Sequence, residues 1–373
     1  RVFDLAAKWT DGLRPVETDG GDDPRGEGIT ARVTREPIGP FFCITPYNWP
    51  ILLAAHKIAP LLAVGGTGIV KGSPLSPLCS LALGRLIHEA GCPDGVMNFI
   101  QCEPVLAEKA IADPRIKGIS FTGSEGVGWH LQKTFPEKQV ILELGGDAHC
   151  VLDESADWQK ALSLLPASAF GFSGQICISM QKLLVHEAIY AKVREALTRL
   201  VIALPCSDPL QAETLCGPMI SGSEADRARE WISEAVAKGG RVLAGGEGKG
   251  NLLAPTLIED VPSDCRLWTE EAFAPILCLS SFQTLDEAIT RVNESRFGIH
   301  SSLFTTSRSK AETFFCDVQT QGVVINDVPS LRFDHLPYGG MKRSGKGREG
   351  VPWSANEYTH LRTCTYRGSC PRP

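Results

Sequence analysis

From residue 41 onward, short apolar runs alternate with longer segments in which apolar side chains recur every three or four residues. Brief apolar runs bounded by Gly, Pro or Asn read as buried strands, and the longer period reads as helices covering a sheet with one face. This pattern predicts strands at 41–45, 68–71, 96–101, 116–121 and 140–144, separated by helices at 49–64, 76–90, 104–112 and 125–135. Strands joined by helices of that length pair in parallel through right-handed crossovers. Such sheets take ligands beyond the carboxyl ends of their strands. A second alternation follows, with strands expected at 150–152, 182–186, 276–282 and 322–326, and helices near 157–170, 189–204, 225–238 and 285–293. Residues 16–28, rich in Gly, Asp and Glu, read as an exposed loop. Residues 30–34 alternate as a short edge strand, and 358–366 read as a strand near the end of the chain. The expected architecture is α/β, two lobes each built on a sheet.

Composition narrows this picture. A chain of 373 residues exceeds one small core. The apolar fraction is 43%, the charged fraction 21% and the net charge −6, which describes an ordinary soluble protein. No cluster of Lys and Arg breaks the acidic balance, so a nucleic-acid partner is not expected. The longest apolar stretch, 51–64, is interrupted by His56, Lys57 and Pro60, and neither a membrane span nor a signal peptide is expected. The thirteen cysteines form no C-x-x-C pair and sit beside no His cluster, so a cytoplasmic protein with mostly inert buried thiols is expected, and no metal site. The chain opens at Arg1 within an amphipathic helical pattern (Val2, Leu5, Ala6, Trp9), so a preceding segment is expected in the parent protein.

Four segments carry candidate chemistry. Phe121-Thr-Gly-Ser-Glu-Gly-Val-Gly128 lies at a strand end and helix start, where glycines admit a phosphate and free N–H groups attract anions; a plain tight turn fits equally well. Gly174-Gln-Ile-Cys177 places a thiol in a loop between two elements, as a nucleophile requires, although any one of thirteen cysteines is more often inert. Glu143 closes an apolar strand before Gly145 and Gly146; burial there raises a carboxyl pKa toward a general base, against the alternative of a solvated strand end. Asn48, between Pro46 and Pro50, is a rigid amide donor suited to an oxyanion, or else a proline-turn residue.

Taken in order, these segments resemble the aldehyde dehydrogenase superfamily. The match comprises Pro46-Tyr-Asn-Trp-Pro50, Lys71, Phe121-Thr-Gly-Ser124, Leu142-Glu-Leu-Gly-Gly146, Gly174-Gln-Ile-Cys177, Glu270-Glu-Ala-Phe273-Ala-Pro275 and Pro337-Tyr-Gly-Gly-Met-Lys342 with Ser344-Gly345, and Glu143 precedes Cys177 by the family's spacing. The resemblance implies a two-lobed fold with a Rossmann-like parallel-sheet domain for NAD(P) at 1–145, carrying a strand arm near 27–37. A catalytic domain would span 146–345 and a tail with an oligomerisation strand 346–373. It implies Cys177 as nucleophile, Glu143 as base for thioester hydrolysis, and Asn48 with the Cys177 N–H as oxyanion donors. It implies Lys71, Gly123, Ser124, Gly128, Glu271, Phe273, Pro46 and Tyr47 as the cofactor-binding set. It further implies NAD or NADP as cofactor, a small aldehyde as substrate and a homodimer or homotetramer as the assembly.

Departures from the family pattern modulate this reading. Gly72 follows Lys71 where Pro is commoner. Pro74 stands where many NAD-preferring members carry a Glu, so no carboxylate there repels a 2′-phosphate. Tyr47 replaces the commoner Trp. The segment preceding the Asn motif is short, which is expected to expose apolar surface. Two other readings compete: a CoA-acylating enzyme, against which Glu143 argues, and a catalytically silent structural relative, against which the Asn48, Glu143 and Cys177 set argues. The motifs around 177–182 and 332–340 look most like members acting on small aldehydes such as lactaldehyde or glyceraldehyde phosphate.

Overall fold

A computed structural model describes residues 1–368 of the chain, which divides into two compact units. The first comprises residues 1–143, 333–337 and the segment from 346 onward, and the second residues 144–332 and 338–345. Among the described residues no helix is long and apolar enough to cross a membrane.

The first unit opens with helix α1 (Val2–Trp9), whose Val2 and Ala6 are buried with Ala55, Ala59 and Val351. The segment read as an exposed loop contains strand β1 (Val16–Asp19), antiparallel to β2 (Ile29–Pro37). All four β1 residues are exposed, so no apolar alternation marks it. Thr359–Arg367 completes this three-stranded arm along the other edge of β2, from Thr359 opposite Pro37 to Arg367 opposite Ile29.

The rest of the unit is a parallel sheet. Strands β3 (Phe41–Ile44), β4 (Gly68–Lys71), β5 (Met97–Ile100), β6 (Gly118–Thr122) and β7 (Gln139–Glu143) run in the order β7-β6-β3-β4-β5. Helices α2 (Pro50–Ala63), α3 (Pro77–Glu89), α4 (Pro104–Ile111) and α5 (Glu125–Thr134) form the crossovers. Three of them begin with Pro at the first turn, where the missing N–H costs nothing. Phe41, Cys43, Val70 and Ile141 of the sheet pack on Ala54, Ile58 and Leu61 of α2 and on Tyr358, whose ring meets Phe41 edge-on at 4.7 Å. Within this core Lys57 is fully buried; its Nζ donates to Ser120 Oγ and Glu349 Oε1, both at 3.1 Å. Leu78 and Leu86 on α3 and Val105 and Leu106 on α4 are exposed.

The second unit is built on a seven-stranded sheet, β8 (His149–Leu152), β9 (Lys182–His186), β10 (Arg241–Ala244), β11 (Thr256–Glu259), β12 (Ile276–Phe282), β13 (His300–Phe304) and β14 (Gly322–Ile325), ordered β10-β11-β12-β9-β8-β13-β14. Only β10 is antiparallel to its neighbour. Strands β10, β11 and β13 and the helix Arg308–Asp317 are additions to the pattern read from sequence. Strand β13 is fully buried yet carries Ser301 and Ser302, which hides it from an apolar-run criterion. Helices α6 (Trp158–Phe170), α7 (Glu187–Ile202) and α8 (Gly222–Ala237) bury Leu165, Phe170, Val193, Leu197 and Trp231 in two clusters against the sheet. Asp157, His186 and Ser221 cap these helices through their side chains.

Candidate active site

In the first unit the candidate residues collect at the carboxyl ends of adjacent strands. Ile44 of β3 stands opposite Lys71 at the end of β4 and opposite Phe121 of β6, while Thr122 stands opposite Glu143, the last residue of β7. The chain leaves β3 through Thr45 and the turn containing Pro46, Tyr47 and Asn48; Pro46 and Tyr47 are half-buried, Asn48 is 5% exposed. Thr45 N–H donates to Lys71 O at 3.1 Å, and Gly123 N–H donates to Glu143 O at 3.0 Å, tying neighbouring strand ends together. Lys71 is buried, with Nζ 3.5 Å from Gly72 O. Glu143 is 3% exposed, a carboxyl withdrawn from solvent at a sheet terminus.

Ser124 stands just before α5 with extended backbone (φ −68°, ψ 145°), so the first-turn N–H groups of that helix face the strand ends. Ser124 is exposed and Gly123 half-buried. Gly128 is buried and its N–H donates to Ser124 O, so that amide belongs to the helix. The hydroxyls of Thr45 and Thr122 are buried without a hydrogen-bond partner among the described residues, and both lie on this same line of strand ends. Unsatisfied buried hydroxyls, a buried lysine and a helix start suit a ligand rich in hydroxyl and phosphate oxygens, so the residues fit a dinucleotide.

In the second unit three segments converge on Cys177. The loop from Gly171 to Gly174 passes through Phe172 (φ 54°), Ser173 (φ 57°) and Gly174 (φ 66°). Left-handed conformations at two non-glycine residues cost energy and persist only where the surroundings hold them. Ser173 Oγ donates to Gly217 O at 2.7 Å, and Gln175 Oε1 accepts from Ile220 N–H at 3.0 Å. Beyond the thiol, Ser179 Oγ donates to Ser168 O at 3.1 Å. Gly174 is confined because a Cβ there would stand 2.1 Å from Ala274 O, and a Cβ on Gly146 would stand 2.4 Å from Cys177 O. Glu271 Oε1 accepts the Gly146 N–H at 2.9 Å, and Gln181 Oε1 accepts the Ala272 N–H at 2.7 Å. Phe273 follows them at φ 45°. The Glu271–Phe273 loop, the glycine pair after Glu143 and the Cys177 loop are therefore one interlocked structure.

Two residues here escaped the sequence reading. Tyr338 Oη lies 2.9 Å from Cys177 Sγ, and the Arg332 guanidinium stacks 3.6 Å over the Tyr338 ring. Both fall in a motif that the resemblance covers, but nothing in the sequence ties residue 338 to a cysteine 161 positions earlier. Four other cysteines differ in setting: burial pushes the thiols of Cys43, Cys150, Cys216 and Cys278 up to about 12, leaving them protonated and inert.

Comparison with known proteins places this geometry. The family model described as "Aldehyde dehydrogenase family" matches residues 1–364. The 3-sulfolactaldehyde dehydrogenase of Priestia aryabhattai is 34% identical over 353 residues, covering 93% of this chain and 72% of that protein. Aldehyde dehydrogenase 21 of Physcomitrella patens, solved with the reaction product succinate, superposes with a TM-score of 0.95 at 36% identity over 98% of this chain and 76% of its own. The glyceraldehyde-3-phosphate dehydrogenase of Methanocaldococcus jannaschii, complexed with NADP, gives a TM-score of 0.93 at 33% identity, covering 98% and 80%. The chain belongs to the aldehyde dehydrogenase family and is an NAD(P)-dependent oxidoreductase of aldehydes.

Proposed function

We propose that the protein oxidises a small anionic aldehyde to its carboxylic acid, with Cys177 as nucleophile and Glu143 as base. The thiolate of Cys177 attacks the aldehyde carbonyl, forming an S–C bond and an oxyanion that the Asn48 amide and the Cys177 N–H receive. The nicotinamide cofactor, when bound, supplies the hydride acceptor that carries the adduct to the acid oxidation level. Lys71 and Ser124 hold it at the strand ends, Glu271 and Phe273 near the nicotinamide end. Glu143, withdrawn from solvent at the strand end, takes a proton from the water that cleaves the thioester. Its presence supports release of free acid over transfer to CoA. The absence of a carboxylate at Pro74 supports use of NADP as well as NAD. A homodimer or homotetramer remains the expected assembly, using the exposed strand Thr359–Arg367.

The single observation that carries the substrate class is the position of Arg332: its cation lies one aromatic ring away from the nucleophile. A guanidinium there suits a carboxylate, sulfonate or phosphate at the far end of a short aldehyde. The relatives named above are described by a sulfonated aldehyde, a dicarboxylate product and a phosphorylated aldehyde, each of which ends in an anion. The test is a panel of succinic semialdehyde, sulfoacetaldehyde, glyceraldehyde 3-phosphate and propionaldehyde with each cofactor, read at NAD(P)H absorbance. Arg332→Leu is expected to lower kcat/KM for the anionic aldehydes by roughly 10- to 100-fold more than for propionaldehyde, as loss of one charge-assisted hydrogen bond to the substrate predicts. Equal loss on charged and uncharged aldehydes removes the anionic assignment, and an active Cys177→Ala enzyme removes the nucleophile.

A further inference from the structure

The Tyr338 hydroxyl stands against the Cys177 thiol, 2.9 Å from Sγ. Tyr338 is 3% exposed, and its ring is fixed on every side. Ile178 and Ile299 pack with it in a small apolar cluster, His300 meets it edge-on at 5.4 Å, and Arg332 covers a face at 3.6 Å. His300 is itself fastened, its Nδ1 lying 2.8 Å from Pro329 O. A phenol so confined keeps its hydroxyl in the plane and position it has, 2.9 Å from Sγ. Glu271 binds the Gly146 N–H beneath the Cys177 carbonyl. Arg332 and His300 pack on the Tyr338 ring. Burial lowers the His300 pKa to about 4, so the imidazole is neutral at physiological pH and, of these two, the guanidinium carries the charge.

We propose that Tyr338 is a catalytic residue of the aldehyde oxidation, donating a hydrogen bond to the Cys177 thiolate so that a larger share of the enzyme carries the ionised nucleophile. This rests on the reading of Cys177 as nucleophile. In the neutral thiol either oxygen or sulfur can donate. Once the thiol proton has left to solvent, sulfur is an acceptor only and the phenol must donate. The bond then becomes charge-assisted, stronger than its neutral counterpart, and so favours ionisation. The Arg332 cation on the ring face strengthens the phenol as a donor and stabilises the nearby negative sulfur. A fixed donor also turns the sulfur lone pairs toward one side, which a solvated thiolate lacks.

The proposal has a signature that a merely structural tyrosine would not produce. A hydrogen bond that lowers a thiol pKa by one unit raises its thiolate fraction tenfold at low pH but lowers the intrinsic nucleophilicity of each thiolate roughly threefold, for a Brønsted slope of about 0.4–0.5. Tyr338→Phe removes the hydroxyl and keeps the ring. Its pH profile for alkylation of Cys177 by iodoacetamide, followed by peptide mass spectrometry, is therefore expected to cross that of the native enzyme. The variant should react roughly threefold more slowly below the native thiol pKa and roughly threefold faster above the variant's, with its midpoint displaced upward by about one unit. The acid limb of kcat/KM should move in the same direction. Superimposable profiles, or a uniform loss at all pH values, overturn the role for Tyr338. An active Cys177→Ala enzyme would instead overturn the nucleophile reading itself, so the two failures are distinguishable.

Discussion

Gly146 offers a sharp test of how Cys177, the proposed nucleophile, is positioned. Its φ lies outside the left-handed region, so alanine can adopt the backbone, and the effect of Gly146→Ala is purely one of space. The added Cβ would stand 2.4 Å from the carbonyl oxygen of Cys177 and 3.1 Å from Ile299 Cδ1. Since real Cβ atoms essentially never come closer than 3.0 Å, one backbone segment must yield by about 0.6 Å. Neither yields freely. The Gly146 N–H is bound to Glu271 and its carbonyl oxygen to Gln181 Nε2 at 2.8 Å, while the Cys177 loop is pinned by Ser173, Gln175 and Ser179. Overpacking of this size costs roughly 1–3 kcal/mol of stability. A displacement of the nucleophile approaching 1 Å lowers turnover by roughly 100-fold through loss of the attack geometry. The expected outcome is a folded enzyme with kcat for aldehyde oxidation down by one to two orders of magnitude and unchanged binding of NAD(P)H, followed by cofactor fluorescence. The binding measurement separates a local push on Cys177 from general unfolding. A variant with native kcat would refute the idea that contact between the glycine pair and the Cys177 carbonyl sets the reactive geometry.

Two further outcomes follow from buried titratable groups. Lys57→Met should destabilise the protein by roughly 3–5 kcal/mol in urea unfolding, because Glu349 loses the cation that accompanies it into the core, and Lys57→Met combined with Glu349→Leu should recover much of that loss; a single variant as stable as the native chain would show that the pair contributes nothing. His149 is fully buried and its pKa is lowered to about 3, with burial as the main cause, against 6.5 in an unfolded chain. The unfolded state therefore binds one more proton between those values, and stability falls as pH drops below about 6.5, by up to roughly 1.4 kcal/mol per pH unit from this residue. His149→Gln should flatten the decline measured by urea midpoints between pH 6.5 and 4.5, and an unaltered slope would exclude a neutral buried imidazole.

The parallel sheet of the first unit was legible in the sequence because several of its strands are buried on both faces. Phe41–Ile44 and Gln139–Glu143 are nearly unbroken apolar runs for that reason, and the helices between them show their inner stripe. Legibility fails where burial and polarity part company. Strand Val16–Asp19 lies on the surface with every side chain exposed, and His300–Phe304 is a fully buried strand that accommodates two serines. In neither case does alternation of apolar and polar residues report the pairing, since the backbone ladder forms whatever the side chains are.

The sequence by itself determined which residues are candidates for the chemistry. An ordered set of Asn48, Lys71, Glu143, Cys177 and Glu271 among turn-forming glycines and prolines is a local property, readable because strand ends and helix starts are encoded within a few residues of each candidate. Only the tertiary structure decided what surrounds the thiol. Tyr338, Arg332 and Gly146 reach Cys177 through chain closures of 31 to 161 residues. Such contacts are set by how the loops pack, and packing depends on volumes and hydrogen bonds summed over the whole unit rather than on any neighbour along the chain.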